Sequence, residues 1–333
     1  SLQLLDTYLS DKNSNLKTMT EFDAIDKFDT LKRFKSHTDS KSSFVTIQEG
    51  CDKFCTFCVV PYTRGSEYSR SIPDIIEEVK KLSELGVIEV TLLGQNVNAY
   101  HGPDVSGKER GLSYLINKIS ELDKIKRITY STSHPNNMTD DLIELHGTNS
   151  KLMSCLHLPV QSGSNKILKL MNRKHTREFY FEIIDKLRKH KSNIALSSDF
   201  IVGFPEEDDK DFQDTMDLIH HVGFMNSYSF KYSPRPGTPA ADREQIPLKI
   251  QDDRLKIMQT TLDQQQIDFN KKFLSKRLEV LISSSGKYKG QVKGKSEFNQ
   301  SVAIPGNPNI IGDIVPVQIT DISVHSLIGK AEV

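Results

Sequence analysis

Apolar positions along this chain follow two periods. Short runs at strand spacing alternate with longer stretches in which apolar residues recur every three or four positions. The spacing predicts strands at 44–48, 87–93, 127–131, 156–158, 194–202 and 226–232. Between them it predicts helices at 72–85, 112–122, 139–146, 179–190 and 209–222. The first helix carries Ile72, Ile75, Ile76, Val79, Leu82 and Leu85 on one face, with Ser71 as its N-cap and Gly86 just past its end. Six successive strand-then-helix units argue for an α/β fold with a parallel sheet joined by crossovers. Such a sheet bends into a full or partial barrel, here a partial (β/α)6 barrel of TIM type. Ligands sit at the C-terminal ends of its strands.

The pattern changes after residue 240. Leu255, Met258, Leu262, Phe269 and Phe273 mark one face of a long helix. From 275 to 333 only short β runs follow, at 278–282, 287–292, 301–304, 314–319 and 326–331, punctuated by Gly and Pro. Five short strands in that length predict a small all-β barrel of oligonucleotide-binding type. Within it, Lys276, Arg277, Lys287, Lys289, Lys293 and Lys295 face only Glu279 and Glu297, a local charge of +4, with Tyr288 and Phe298 interleaved. A charge run is often only a solvated face; on a small β barrel with aromatics it also fits nucleic acid. Residues 1–43 mix acidic, basic and small polar residues and read as a linker or the remnant of another domain. The expected division is therefore 1–43, 44–274 and 275–333.

Composition narrows the class. Lys plus Arg and Asp plus Glu both number 44, so any nucleic-acid site is a local patch and not a global charge. No apolar run is long enough to span a membrane. Four cysteines in 333 residues do not make a disulfide framework and fit a reducing cytoplasm.

Three of those cysteines carry the chemistry. Cys51, Cys55 and Cys58 form a CxxxCxxC run just after the first predicted strand, where a barrel's active site belongs. Iron–sulfur clusters are held by Cys thiolates, and three thiols on a four-iron cubane leave one iron open to bind a small molecule. A zinc site is the alternative; it wants a fourth ligand, from His37 or Cys155. Cys155 lies in the apolar stretch Leu152-Met153-Ser154-Cys155-Leu156 and reads as a small core residue.

The Cys loop resembles that of the radical S-adenosylmethionine (SAM) enzymes, in which the open iron chelates the amino and carboxylate groups of SAM. Other stretches are similar to the same family. Leu92-Leu93-Gly94-Gln95-Asn96 ends the second strand where the family contacts the SAM amino group. Ser198-Asp199-Phe200-Ile201-Val202-Gly203-Phe204-Pro205 ends the fifth like its adenine-binding motif, with Glu206 where a Gly is usual. Cys58–Gly65, His157–Ser164 with Met171-Asn172-Arg173, Gly94–Tyr100 and Tyr232–Pro239 narrow the resemblance to the methylthiotransferases. Within these it points to the tRNA-2-methylthio-dimethylallyladenosine synthase branch, from about residue 20 onward. The final β segment resembles the branch's RNA-binding TRAM module.

The resemblance implies one [4Fe-4S] cluster on Cys51, Cys55 and Cys58, and SAM held by Gly94, Gln95, Gln161, Ser162, Asp199 and Gly203. Arg64, Arg173 and Arg235 would bind SAM carboxylate or RNA phosphate, or form structural ion pairs. It also implies insertion of sulfur and a methyl group at carbon-2 of isopentenyladenosine next to the anticodon. Loop bases in RNA can be splayed out and read singly, which suits that target. The partners would be a tRNA anticodon stem-loop and an electron donor such as flavodoxin or ferredoxin, the protein a cytoplasmic monomer. The family usually carries an N-terminal domain with three more Cys for a second [4Fe-4S] cluster. Residues 1–43 resemble the tail of that domain, and its cysteines are not in this sequence. Activity on threonylcarbamoyladenosine or on a ribosomal protein is the alternative within the family. A non-catalytic RNA-binding protein with a structural metal is the alternative outside it.

Overall fold

The computed structural model describes residues 41–332. The expected linker at 1–43 lies outside them apart from its last three positions, and so does His37.

Six parallel strands come first: β1 (Ser42–Thr46), β2 (Glu89–Leu93), β3 (Arg127–Tyr130), β4 (Cys155–His157), β5 (Ala195–Val202) and β6 (Asn226–Lys231). They pair as β1-β2-β3 and as β4-β5-β6. A parallel bridge between Ile128 and Leu152 joins the two halves. Among the described residues β1 and β6 do not pair, so the barrel is partial, as the alternation of elements predicts. Around it run α1 (Ile72–Glu84), α2 (Leu112–Ser120), α3 (Asp140–Thr148), α4 (Arg177–His190), α5 (Asp209–Val222) and α6 (Leu248–Lys271).

The period-2 pattern of the strands decides which side faces the helices. Val45, Val90, Leu92, Ile128, Leu196, Phe200 and Val202 are buried in one core with Ile75, Val79, Leu115, Ile183 and Ile219 of the helices. The alternate positions, Thr91, Thr129, Ser197 and Asp199, turn to the lumen. Ser71 caps α1 by accepting the N–H of Asp74, and Asp208 with Asp211 forms a reciprocal capping box at the start of α5, each worth about 1 kcal/mol. Two short helices, Val60–Arg64 and Asn165–Leu170, have no counterpart in the sequence reading, because one turn or so is too short to show a period.

The C-terminal segment is a closed barrel of β7 (Arg277–Ser285), β8 (Gln291–Ser296), β9 (Ser301–Pro305), β10 (Ile314–Ile322) and β11 (Leu327–Ala331), in the order 7-8-9-11-10. The strand expected at 287–292 begins later, at Gln291. The residues before it make the β7–β8 turn, in which Gln291 Oε1 accepts the N–H of Lys287 and Gly290 takes a positive φ of 77°. Lys293 and Lys295 then fall on the outside of β8, while Val292 and Ser296 are buried.

The two barrels share a core. Ala195 and Met225 of the first belong to the same apolar cluster as Val280, Val292, Val302 and Val317 of the second. Buried Arg127 joins them more specifically. Its Nη1 donates to the carbonyl of Lys295 at 2.9 Å and its Nη2 to that of Glu279 at 2.6 Å. Glu89 lies 3.8 Å away as its counter-charge. No described helix is long and apolar enough to cross a membrane.

Arg127→Ala would take the guanidinium from two carbonyls and leave the buried Glu89 carboxylate without its counter-charge. Removing one member of a buried pair costs roughly 3–5 kcal/mol. Urea denaturation should register that loss, and amide exchange should rise at β7 and β8. Stability within 1 kcal/mol of the parent, an allowance at the low end of ordinary mutational effects, would show that the clamp carries no load.

Candidate functional site

The Cys loop lies immediately beyond the carboxyl end of β1, and three other segments grip it. The first grip is the fully buried amide of Gln48. Its Oε1 accepts the N–H groups of Gln95 at 3.0 Å and Asn96 at 3.1 Å, and its Nε2 donates to the Gly50 carbonyl at 3.0 Å. Gln95 completes the exchange, its Oε1 accepting the Gly50 N–H at 2.6 Å. Gly94 permits the approach: a Cβ there would lie 2.5 Å from Gln48 Oε1. Gly94 and Gln95 thus stand at the end of β2 directly against the start of the Cys loop.

The second grip is Met171-Asn172-Arg173. The Thr56 N–H donates to the Met171 carbonyl at 3.1 Å, and the Asn172 amide to the Phe54 carbonyl at 2.9 Å. Arg173 is buried, with Nη1 3.7 Å from Cys55 Sγ and Nη2 on the Pro159 carbonyl. The third is the loop after β6, where the Ala240 N–H donates to the Thr56 carbonyl at 3.0 Å. Stretches more than a hundred residues apart in sequence therefore meet on one loop.

All three thiols are free. Burial pushes Cys51 and Cys58 above the usual thiol range, with mutual repulsion among Cys51, Cys55 and Cys58 adding to it. They do not converge on a point: among the described residues no group of three His, Cys, Asp or Glu is placed to hold a single metal ion. The donor set is soft sulfur, which suits an iron–sulfur cluster. Buried polar atoms without a partner include Arg173 Nε, Asn96 Oδ1, His134 Nε2 and His175 Nε2. These are donors and acceptors of the kind a charged cofactor satisfies, so the residues present fit a cluster and a polar ligand beside it. Cys155 is at the opposite, amino end of β4, paired in register with Ala195 and 3.8 Å from the Thr129 hydroxyl. Burial raises its thiol to about 11.

The remaining expected residues divide. Gln161 sits at the end of β4 at a positive φ of 75°, its N–H on the Asp199 carbonyl and its carbonyl accepting the Ile201 N–H. Asp199 faces the lumen, its carboxylate 3.5 Å from His157 Nε2. Ser162 differs from expectation. It is fully buried, and its hydroxyl is taken up by Thr215 of α5 at 3.1 Å and by the Ser164 N–H. It positions the loop and does not face the lumen. Arg64 pairs with Glu49 at 3.0 Å, and Arg235 is exposed.

Gly203 ends β5 at a positive φ of 68°, and a Cβ there would meet Gln251 of α6 at 2.4 Å. Its N–H donates to Glu207 Oε1 at 3.0 Å. Glu207 escaped the sequence reading, since an acidic run before a helix looks like solvated capping. It is buried, it pairs with Arg254 at 2.8 Å, and burial lifts its carboxyl to about 7. Glu206, where a Gly is usual, has a positive φ of 71°. The turn keeps its shape at a side chain that disfavours it.

The profile of the radical SAM superfamily matches residues 45–219, and that of the TRAM domain matches 271–331. The chain is 55% identical over 291 residues to "tRNA-2-methylthio-N(6)-dimethylallyladenosine synthase" of Orientia tsutsugamushi (strain Ikeda), covering 87% of this chain and 65% of that one. It is 52% identical over 307 residues to the protein of the same name in Rickettsia felis, covering 91% and 68%. The chain thus spans about two thirds of the length of these relatives. Among solved structures, a radical S-adenosylmethionine methyltransferase from Kitasatospora setae aligns at a TM-score of 0.49 and 14% identity, over 60% of this chain and 38% of that one.

Glu206→Gly should relieve the left-handed strain at the turn after β5. The gain is about 1 kcal/mol of strain, partly offset by the entropy glycine adds to the unfolded chain. A thermal melt should show an unchanged or higher midpoint. A drop of several degrees would mean that the Glu206–Arg243 pair, 3.2 Å apart, outweighs the strain.

Proposed function

We propose, for a chain that belongs to the radical SAM superfamily and to its tRNA-2-methylthio-N(6)-dimethylallyladenosine synthase family, that it carries the radical half of methylthiolation of a tRNA adenosine. The target is carbon-2 of isopentenyladenosine beside the anticodon. The observation that carries this reading is the Cys loop, held by three remote segments at the carboxyl end of β1, in a chain more than half identical to enzymes of that name. Residues 44–274 form the catalytic barrel and 275–333 the TRAM module.

Cys51, Cys55 and Cys58 would hold one [4Fe-4S] cluster. Arg173, against Cys55, offsets the negative charge that the thiolates bring into a buried site. Gly94, Gln95, Gln161 and Gly203 shape the SAM pocket at the strand ends, with Asp199 at its border. Ser162 supports it from behind. When bound, the cluster and SAM together supply a carbon-centred radical, the chemistry that an unreactive ring C–H bond requires. The chain's own part is to fix the ligands, exclude water and present the base. The TRAM module contributes the cations of 276–295, so affinity for tRNA should fall as salt rises. A flavodoxin- or ferredoxin-type donor serves the protein, which works as a monomer in the cytoplasm.

Anaerobic reconstitution tests the ligand set. The parent should bind about four irons per chain and, under reductant, release methionine and 5′-deoxyadenosine from SAM. Alanine at Cys51, Cys55 or Cys58 should abolish both, because a three-ligand site has no spare, while Cys155→Ala keeps them. Loss of SAM cleavage in folded Cys155→Ala would sink the assignment. Zinc in place of iron would point to a structural metal.

The second test concerns sulfur. With three cysteines committed, only Cys155 is left in this sequence, and one thiol cannot hold a second cluster. The chain should cleave SAM yet form no 2-methylthio-isopentenyladenosine, as read by mass spectrometry of tRNA nucleosides. A version of relatives' length should form it. Repeated turnover to that product by these residues alone would overturn the account of the sulfur source.

A further inference from the structure

Between the lumen faces of the first barrel and the TRAM module lies a cavity of about 710 Å3, within the usual span of ligand pockets, about 300–1,000 Å3. Two features of it are not used by the cluster or SAM residues. The first is aromatic. Phe44 of β1 is 71% exposed and Tyr228 of β6 is 54% exposed, and both rings line the cavity. They come from the two strands that flank the gap in the barrel. The second is a rigidly held imidazole. His157 Nδ1 lies 3.0 Å from the Ser197 hydroxyl, its Nε2 lies 3.5 Å from Asp199, and its ring meets Tyr228 edge-on at 6.4 Å.

Uncovered rings in a concave site call for a flat partner, and a fixed imidazole beside them calls for a partner with a polar edge. A nucleobase taken out of its stack has both. An aliphatic chain would leave His157 and Ser197 facing hydrocarbon at a desolvation cost. A phosphate would meet more carboxylates than cations, since Glu89 and Asp263 line the cavity and Lys295 is the one Lys or Arg among its lining residues. We propose that Phe44 and Tyr228 form a stacking platform for a purine base extruded from RNA, and that His157, held through Nδ1 by the Ser197 hydroxyl, hydrogen-bonds the base's polar edge through Nε2. This rests on the reading that the chain acts on an RNA adenosine.

The test uses an anticodon stem-loop RNA with 2-aminopurine in place of the target adenosine, titrated into the chain. Stacking in the platform should quench the fluorophore. Tyr228→Ala and Phe44→Ala should lose most of the quench and weaken binding about tenfold, the scale of one base–aromatic stack. Tyr228→Phe keeps the ring and should keep both signals. His157→Leu should weaken binding while the quench of the bound RNA persists. RNA that binds the parent with no quench, or Tyr228→Ala with parental quench, overturns the platform and leaves the functional reading standing. A parent that binds no stem-loop overturns that reading, and the platform with it. Quench that appears only after residues 1–40 are removed would assign the aromatic face to the chain's own N-terminal segment and overturn the proposal.

Discussion

A single buried amide, that of Gln48, sets the geometry on which the site depends. The Cys loop follows β1 and the Gly94–Asn96 loop follows β2, and neither has a regular ladder to hold it. Gln48 supplies one. Its oxygen accepts two backbone N–H groups of the second loop while its nitrogen donates into the first. Gln95 returns a bond to the Gly50 N–H, one residue before Cys51. A buried backbone N–H left alone costs as much as a lost hydrogen bond, so the two loops adopt one mutual arrangement or lose several bonds together. The position of Cys51 relative to the end of β2 is therefore fixed before any ligand arrives.

The opposite end of the barrel is constrained differently. Arg127 is buried with its guanidinium spread across two carbonyls of the TRAM module, and the shared core passes from Met225 and Ala195 into Val280 and Val317. The sequence sets residues 275–333 apart as a small module of its own. The structure ties it to the first barrel by a charge and an apolar contact that would both be exposed if it were cut away. A fixed module also holds its exposed cations at a set distance from the lumen.

Strand and helix periods made the six-strand barrel and the five-strand module legible, because each element is long enough to repeat its pattern and the lumen-facing positions alternate with apolar ones. The one displaced strand, expected at 287–292, failed because a Lys-Tyr-Lys-Gly turn imitates an alternating strand until the positive φ of Gly290 is known. The CxxxCxxC spacing was legible as chemistry. What holds it was not. Thr56, Asn172 and Ala240 are joined by backbone bonds that no periodicity encodes. Ser162 shows the converse: its motif looked like a ligand contact, but its hydroxyl faces α5, since a side chain's partner depends on which way the loop turns.

The charge pattern links the two ends. The chain is neutral overall, yet its charges are sorted by depth. Exposed lysines cover the TRAM strands, where solvent screens them. Inside, the buried cations are few and each has a fixed task. Arg70 faces Glu78, Arg127 faces Glu89, Arg254 faces Glu207, and Arg173 faces Cys55. The first three cations have carboxylates within reach. Arg173 has a thiol and the Pro159 carbonyl, with its Nε unpaired. A guanidinium is costly to bury without a counter-charge. The sulfur of Cys55 is the nearest group to Arg173 that carries a negative charge when it binds metal. Arg173 thus opposes the burial that pushes the Cys58 thiol up, without outweighing it.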